Sequence, residues 1–446
     1  MPSGSVDREI FRLAVPALGA LAAEPLYLLA DTAIVGHLGT RQLAALALAG
    51  SVLSSVVTLS NFLTYGTTAQ VARLHGAGQD KRAGEIAAQS LYLAILIGVA
   101  ATAITIALAD PLMALVGGDG DTAGLAARYL RLSALGLPAA LIALAGQGYL
   151  RGVGDLKSPL IVVVAANAFN IVLELVFVYA FDWGMDGSAA GTVVAQAAMG
   201  IAFTIMLLKA PALSRRPQAR RLKSLAHMGG HIVVRTGSLL LAFLVAGAVL
   251  ARESDAALGA HQIAFQVFIF LALVLDAIAI AGQVLVGRLL GAGQADRAIH
   301  AARRMCLWSL AGGIVMAAGL LATTHVLPDA FTSDDQVLHQ AATLWPLFAL
   351  MQPVGALVFA LDGILLGAGD TRYLAYAMAF SALGVFLPIA LLTLHFDWGV
   401  TGVWWGINAL MLARLLTIGA RYRSRRWVVT GASTAADAPA AATTPA

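Results

Sequence analysis

Charge is what this sequence has least of. Asp, Glu, Lys and Arg make up 12% of its 446 residues against 59% hydrophobic, and the mean hydropathy is +0.83. A soluble domain is about 25% charged. That scarcity excludes a water-soluble globule, because no soluble packing hides so much apolar surface. Cysteine is nearly absent: the single Cys306 excludes an intramolecular disulfide and says nothing of redox compartment. No Gly-Lys-Ser/Thr follows the glycine-rich turns and no buried strand precedes them, so a nucleotide-binding loop fails its context. His75, His227, His231, His261 and His300 have no cysteine or carboxylate partner at zinc spacing. No nucleophile-elbow sequence supports Ser/His/Asp catalysis. The reading is of a protein that is not an enzyme and needs no metal or cofactor.

What is present is written twice. Pro138 recurs as Pro353, Gly152-Val-Gly-Asp155 as Gly367-Ala-Gly-Asp370, and Phe181-Asp-Trp-Gly184 as Phe396-Asp-Trp-Gly399. Arg73-Leu-His-Gly-Ala-Gly-Gln79 returns as Arg288-Leu-Leu-Gly-Ala-Gly-Gln294. Chance similarity between two alanine-rich sequences does not hold one register through all these blocks. The chain is two copies of one unit, an arrangement characteristic of secondary transporters.

Apolar stretches long enough to cross a bilayer, about 20 residues each, fall at 10–35, 43–72, 85–109, 124–148, 158–180, 187–210, 229–251, 257–286, 303–324, 339–366, 373–395 and 400–420. The predicted fold is therefore all-α and polytopic, with twelve transmembrane helices, six per copy. The weakest stretch is 124–148, with Arg128 and Arg131 near its start. The first stretch contains Glu24 and Asp31 and lacks a cleavage motif, so it is read as a retained helix rather than a signal peptide. The expected divisions are an N-terminal lobe 1–212, a basic linker 213–228, a C-terminal lobe 229–426 and a disordered tail 427–446.

Basic residues set the orientation. With the N-terminus inside, cytoplasmic segments hold 21 of the 28 Lys and Arg, while the opposite side holds Arg41, Arg128, Arg131 and Arg252. The positive-inside rule then puts both termini in the cytoplasm of a cell-membrane protein. The basic tract 215–223 reads as the linker between copies and not as a nucleic-acid site. Each copy has an even number of spans, so the two run parallel and are expected to be related by a pseudo-two-fold axis along the membrane normal. Such an arrangement leaves a cavity between lobes, as alternating access requires.

Ionisable groups within spans are functional-site hypotheses by default. Glu24 and Asp31 are seven apart and share a helix face; Asn167, Asn170 and Glu174 do likewise in the fifth span. The second span aligns Ser54, Thr58, Asn61, Tyr65 and Thr68. An acid in such a place loses hydration when charged, which makes Asp31, Glu174 and Glu24 candidates for proton coupling. Asn61, Tyr65, Asn167 and Asn170, with Gln262, Gln266, Asp276 and Gln283 of the eighth span, are candidates for the substrate cavity. Asp362 is the remaining acid within a span, and Arg235 either neutralises Asp276 or faces the cytoplasmic interface. The copies differ in chemistry: the counterparts of Asn167, Asn170 and Glu174 are Ala382, Val385 and Ile389. Proton coupling is therefore expected in the first half. Pro16, Pro25, Pro138, Pro346, Pro353 and Pro388 lie within spans and can kink them.

The run Pro16…Leu29-Ala-Asp31-Thr-Ala-Ile-Val-Gly36-His-Leu-Gly39 followed by Leu43-Ala-Ala-Leu46 resembles the multidrug and toxic compound extrusion (MATE) family. More narrowly, it resembles the branch of DNA-damage-inducible protein F. Phe62-Leu-Thr-Tyr-Gly-Thr-Thr68, Ala260-His-Gln-Ile263 and Asp362-Gly-Ile-Leu-Leu-Gly367 carry the resemblance on, to about residue 425. The resemblance implies export of organic cations or amphipathic drugs in exchange for protons, with sodium as an alternative, from a membrane-embedded monomer. It also implies that Asp31 changes protonation and bends its helix. Family members often have aspartate at the position of Glu174. The competing function is a flippase for a lipid-linked or other amphipathic metabolite, whose cavity is expected to carry Arg and Lys for phosphate.

Overall fold

The structure is a computed structural model that describes residues 3–432. A backbone in hydrocarbon must bond its own polar groups, so apolar runs this long fold as helices. They form α1 (Ser3–Gly36), α2 (Thr40–Ser60 continued by Phe62–Gly76), α3 (Asp80–Ala107) and α4 (Gly120–Ala134 with Leu137–Gly152). Next come α5 (Lys157–Leu175 with a π-helical turn Val176–Ala180), α6 (Gly184–Lys209), α7 (Ala219–Glu253) and α8 (Asp255–Gly291). The last four are α9 (Ala295–Ala322), α10 (Asp335–Gly367), α11 (Thr371–Ala379, a π-helical turn Phe380–Phe386, and Leu387–Phe396) and α12 (Gly399–Arg423). Among the described residues, eleven helices are long and apolar enough to cross a membrane, and α4 makes twelve if its two halves, bent by 51°, form one span. The bend explains why that stretch reads weakly: Pro138 starts the second half, and Arg128 and Arg131 on the first half pair with Asp186 and Asp110.

The duplication is visible in the backbone. After α2, α4, α8 and α10 the chain turns through Gly78, Gly154, Gly293 and Gly369, each at φ between 69° and 85°. At each, the next residue's N–H reaches back to the last turn: Gln79 to Leu74 O, Asp155 to Leu150 O, Gln294 to Leu289 O and Asp370 to Leu365 O, at 2.8–2.9 Å. This is the Schellman closure that favours glycine. The Phe-Asp-Trp-Gly blocks also share one conformation, with Asp182 at φ 57° and Asp397 at φ 52°. Helix packing repeats too. A Cβ on Gly148 would lie 2.7 Å from Thr64 O, and one on Gly363 would lie 2.2 Å from Ala279 O. Small residues four apart, Gly148/Gly152 and Gly363/Gly367, thus let α4 approach α2 and α10 approach α8.

Two compact units result, one from Pro16 to Gly229 and one from Gly230 onward that includes the N-terminal residues to Val15. These divisions differ from the expected lobes for local reasons. The segment expected as a linker belongs to the first unit: Arg221 pairs with Glu85, Gln89 Nε2 donates to Arg216 O and accepts at Oε1 from Gln218 N, and Leu222 and Leu225 pack in the core beside Ile86. The start of α1 belongs to the second unit, where Arg304 pairs with Asp7 at 2.5 Å and Arg288 with Glu9. The tail expected to be disordered from 427 begins in order. Trp427 is buried, stacks on Tyr422 and donates to Tyr422 O, and Gly431 N donates to Leu290 O. Residues 433–446 lie outside the described residues.

Candidate functional site

The first unit encloses a cavity of about 420 Å³, within the 300–1,000 Å³ range of ligand pockets. Five helices line it with residues at helical spacing. α1 supplies Glu24, Tyr27, Leu28, Asp31 and Thr32, one face of one helix. α5 supplies Val163, Ala166, Asn167 and Asn170, and α6 supplies Thr192, Ala195, Gln196 and Met199. From α2 come Leu43, Leu46, Ala47, Gly50, Leu53, Ser54 and Val57; from α4, Tyr129, Ala140, Ala143, Leu144 and Gln147. Most of this wall is apolar. Its charged residues are Glu24 and Asp31, and no Lys, Arg or His lines it.

Hydroxyl groups tie α1 to α5 and α6. Tyr27 Oη donates to Glu174 Oε1 at 3.0 Å and lies 3.1 Å from Thr192 Oγ1. Thr192 Oγ1 in turn donates to Glu174 Oε1 at 3.3 Å and accepts from Asn170 Nδ2 at 3.4 Å. Ser188 Oγ donates to Asp31 Oδ1 at 3.0 Å. Ser188 and Thr192, one turn apart on α6, thus hold Asp31 and Glu174 in one buried group. Backbone packing sets this geometry. Gly187 lets α6 approach the carbonyl of Phe177 in the π-helical turn, and Gly191 abuts Glu174 Cγ, where an added Cβ would lie at 3.2 Å. Further along, Tyr179 Oη donates to Ile34 O at 2.8 Å and Asn167 Nδ2 to Ala23 O at 3.0 Å.

Of the residues singled out by sequence, Glu24, Asp31, Asn167 and Asn170 line the cavity, and Glu174 sits directly behind it. Asn61 occupies the joint of the two halves of α2, where its N–H donates to Thr58 O. Neither Asn61 nor Tyr65 is among the lining residues. The polar stripe on α2 divides: Ser54 faces the cavity, while Thr68 donates to Gly148 O of α4 at 3.0 Å, as Thr64, outside the stripe, does to Leu144 O. Gln262, Gln266, Asp276 and Gln283 are all on α8, in the second unit. Gln262 and Gln266 are exposed there, and Gln283 is buried where Gly367 meets its backbone.

In the second unit Arg235 has a partner not expected from the sequence. Its guanidinium pairs with Asp362 Oδ2 at 2.6 Å, and Arg414 pairs with the same oxygen. Asp362 is thus a buried, doubly compensated anion. Three hydroxyl residues of the first-unit network escaped the sequence reading: Tyr27, Ser188 and Thr192. Tyr27 had a signal, lying between Glu24 and Asp31 on their shared face. In the second copy the positions of Tyr27, Asp31, Ser188 and Thr192 hold Ala242, Ala246, Val403 and Ile407.

Comparison with known proteins places this site in a wider context. The MatE family model matches residues 16–176 and again 232–392, the same duplication seen in the chain. Protein DETOXIFICATION 44, chloroplastic, of Arabidopsis thaliana is 34% identical over 429 residues, spanning 93% of this chain and 81% of that protein. DNA damage-inducible protein F of Escherichia coli strain K12 is 28% identical over 437 residues, spanning 95% and 93%. A solved variant of the Vibrio cholerae MATE transporter VcmN matches with a TM-score of 0.87 at 19% identity, over 95% of this chain and 99% of that one. At that identity the likeness is one of fold.

Proposed function

The chain belongs to the MatE family, and from that premise we propose that it exports organic cations or amphipathic compounds in exchange for protons, by alternating access. One observation carries the reading: an apolar cavity of ligand size with two acids and no basic residue in its wall. Such a wall favours a lipophilic cation and disfavours a phosphate-bearing substrate, since the ligand's charge must find its counter-charge inside a low-dielectric site. That weighs against the flippase alternative.

Asp31 and Glu174 are the pair we assign to proton coupling. Tyr27, Thr192 and Ser188 hold their oxygens in place, so a proton gained or lost there alters hydrogen bonds that join α1 to α5 and α6. Sodium coupling is the second reading. It is favoured by Glu174 Oε2 and Asn170 Oδ1, two buried oxygens without a hydrogen-bond partner among the described residues, since hard cations take such oxygen ligands. The proposal includes a monomer in the cell membrane with cytoplasmic termini.

The deciding experiment is transport of a fluorescent organic cation in proteoliposomes under a pH gradient alone and a sodium gradient alone. Protons enter as substrate leaves, so acid on the side that receives the substrate should drive movement. The proposal expects that result with no sodium present. Movement driven only by sodium would transfer coupling to that ion, and movement under neither would remove the export reading.

A further inference from the structure

The three acids of the first-unit site differ in how they are held. Asp31 accepts from Ser188, and Glu174 accepts from Tyr27 and Thr192. Glu24 lines the same cavity with no hydrogen bond or ion pair among the described residues. It lies seven residues before Asp31, about 10 Å along the helix at 1.5 Å per residue. At its level α5 runs alongside: Leu160 meets Gly19 at 3.1 Å from where a Cβ would be, and Asn167 reaches Ala23 O. The α5 lining residues there, Val163, Ala166 and Asn167, are all neutral.

We propose that Glu24 recognises the positive charge of the exported compound. An ammonium or delocalised cation in the cavity supplies the partner that the protein does not, while the compound's apolar part lies against Leu28, Leu144 and Val163. A carboxylate in an apolar wall is costly alone and specific when paired, so it discriminates by charge more than by shape. Substrate charge and coupling proton then occupy different carboxyls of one helix face. Cation recognition can be lost without losing coupling, and coupling without losing recognition. This assignment rests on the export reading above.

The test compares an amphipathic fluorescent monocation with its uncharged isostere, by anisotropy on the purified full chain and by transport under an imposed pH gradient. Glu24→Gln should weaken cation binding by about tenfold or more, while affinity for the isostere and its pH-driven movement stay at wild-type levels. Adding Leu28→Glu to Glu24→Gln moves the carboxylate one turn along the same wall and should restore the preference for the cation. Asp31→Asn should keep that preference. Equal weakening of both ligands, unchanged cation binding, or loss of pH-driven movement of the isostere overturns the assignment. If Glu24→Gln is not monodisperse, Glu24→Asp decides: retained cation preference supports the role and its loss refutes it. Wild-type protein that binds and moves neither compound would instead sink the export reading itself.

Discussion

A single hydroxyl, that of Tyr27, touches both Glu174 and Thr192. Removing it leaves a buried carboxyl oxygen short of a donor, a cost of about 1–3 kcal/mol. Tyr27→Phe should therefore slow pH-driven export by roughly tenfold at matched expression, with folding intact by size-exclusion profile; wild-type turnover would show that the contact is incidental. Position 174 gives a sharper comparison, because its counterpart is built alike. Gly191 abuts Glu174 Cγ and Gly406 abuts Ile389 Cγ2, each 3.2 Å from where a Cβ would stand. Glu174→Gln should abolish coupled export, whereas Ile389→Gln should leave it largely intact; equal losses would mean the polar site is not in the first unit. Asp31 and Glu174 were legible in the sequence because a carboxylate in an apolar run has few structural excuses. Ser188 and Thr192 were not, since helical hydroxyls commonly bond their own backbone, as Ser381 does to Ala377 O and Thr393 to Ile389 O.

At the scale of elements, helix ends were the most readable feature. Glycine two residues past the last helical residue marked four Schellman closures, because a residue tolerant of positive φ is needed to end a helix in that way. The stripe on α2 misled for the reason that hides Ser188. The hydroxyl at 68 follows the period of the cavity face, yet bonds a carbonyl of α4, while the face that lines the cavity is mainly Leu, Ala, Gly and Val. Periodicity shows that residues share a direction and not what lies in it. Asp362 was ambiguous for a related reason: its two arginines come from α7 and α12, 127 and 52 residues away. With both guanidinium groups bonded to one oxygen, Asp362→Asn removes a buried counter-charge that two arginines share, a cost of about 3–5 kcal/mol. The variant should unfold at clearly lower temperature than wild type in a detergent thermal-shift measurement, and an unchanged midpoint would contradict the compensated-anion account. The first unit holds Ala20, Gln147 and Met199 at the corresponding positions, and the latter two line its cavity. The same scaffold thus leaves a cavity in one unit and carries an ion cluster in the other.

For the whole molecule, the proposed orientation rests on the duplication and the basic-residue bias together. Cys306 is the only native cysteine, so a cysteine-free background needs one substitution. Single cysteines at 215–223 should resist an impermeant reagent in intact cells, whereas those at 117–121 should react; labelling of the first set from outside would invert the topology. The unit boundaries were not legible, because they depend on where the ends of α1 and α7 pack, and composition does not encode that. The central claim is that the Asp31–Glu174 pair couples proton entry to substrate exit, and Asp31→Asn tests it most directly. Asparagine keeps the side chain's shape and its bond from Ser188 but cannot titrate. Export of a fluorescent cation under an imposed pH gradient should be abolished in Asp31→Asn, while the protein stays monodisperse and still binds the cation. Wild-type turnover in that variant would contradict the account.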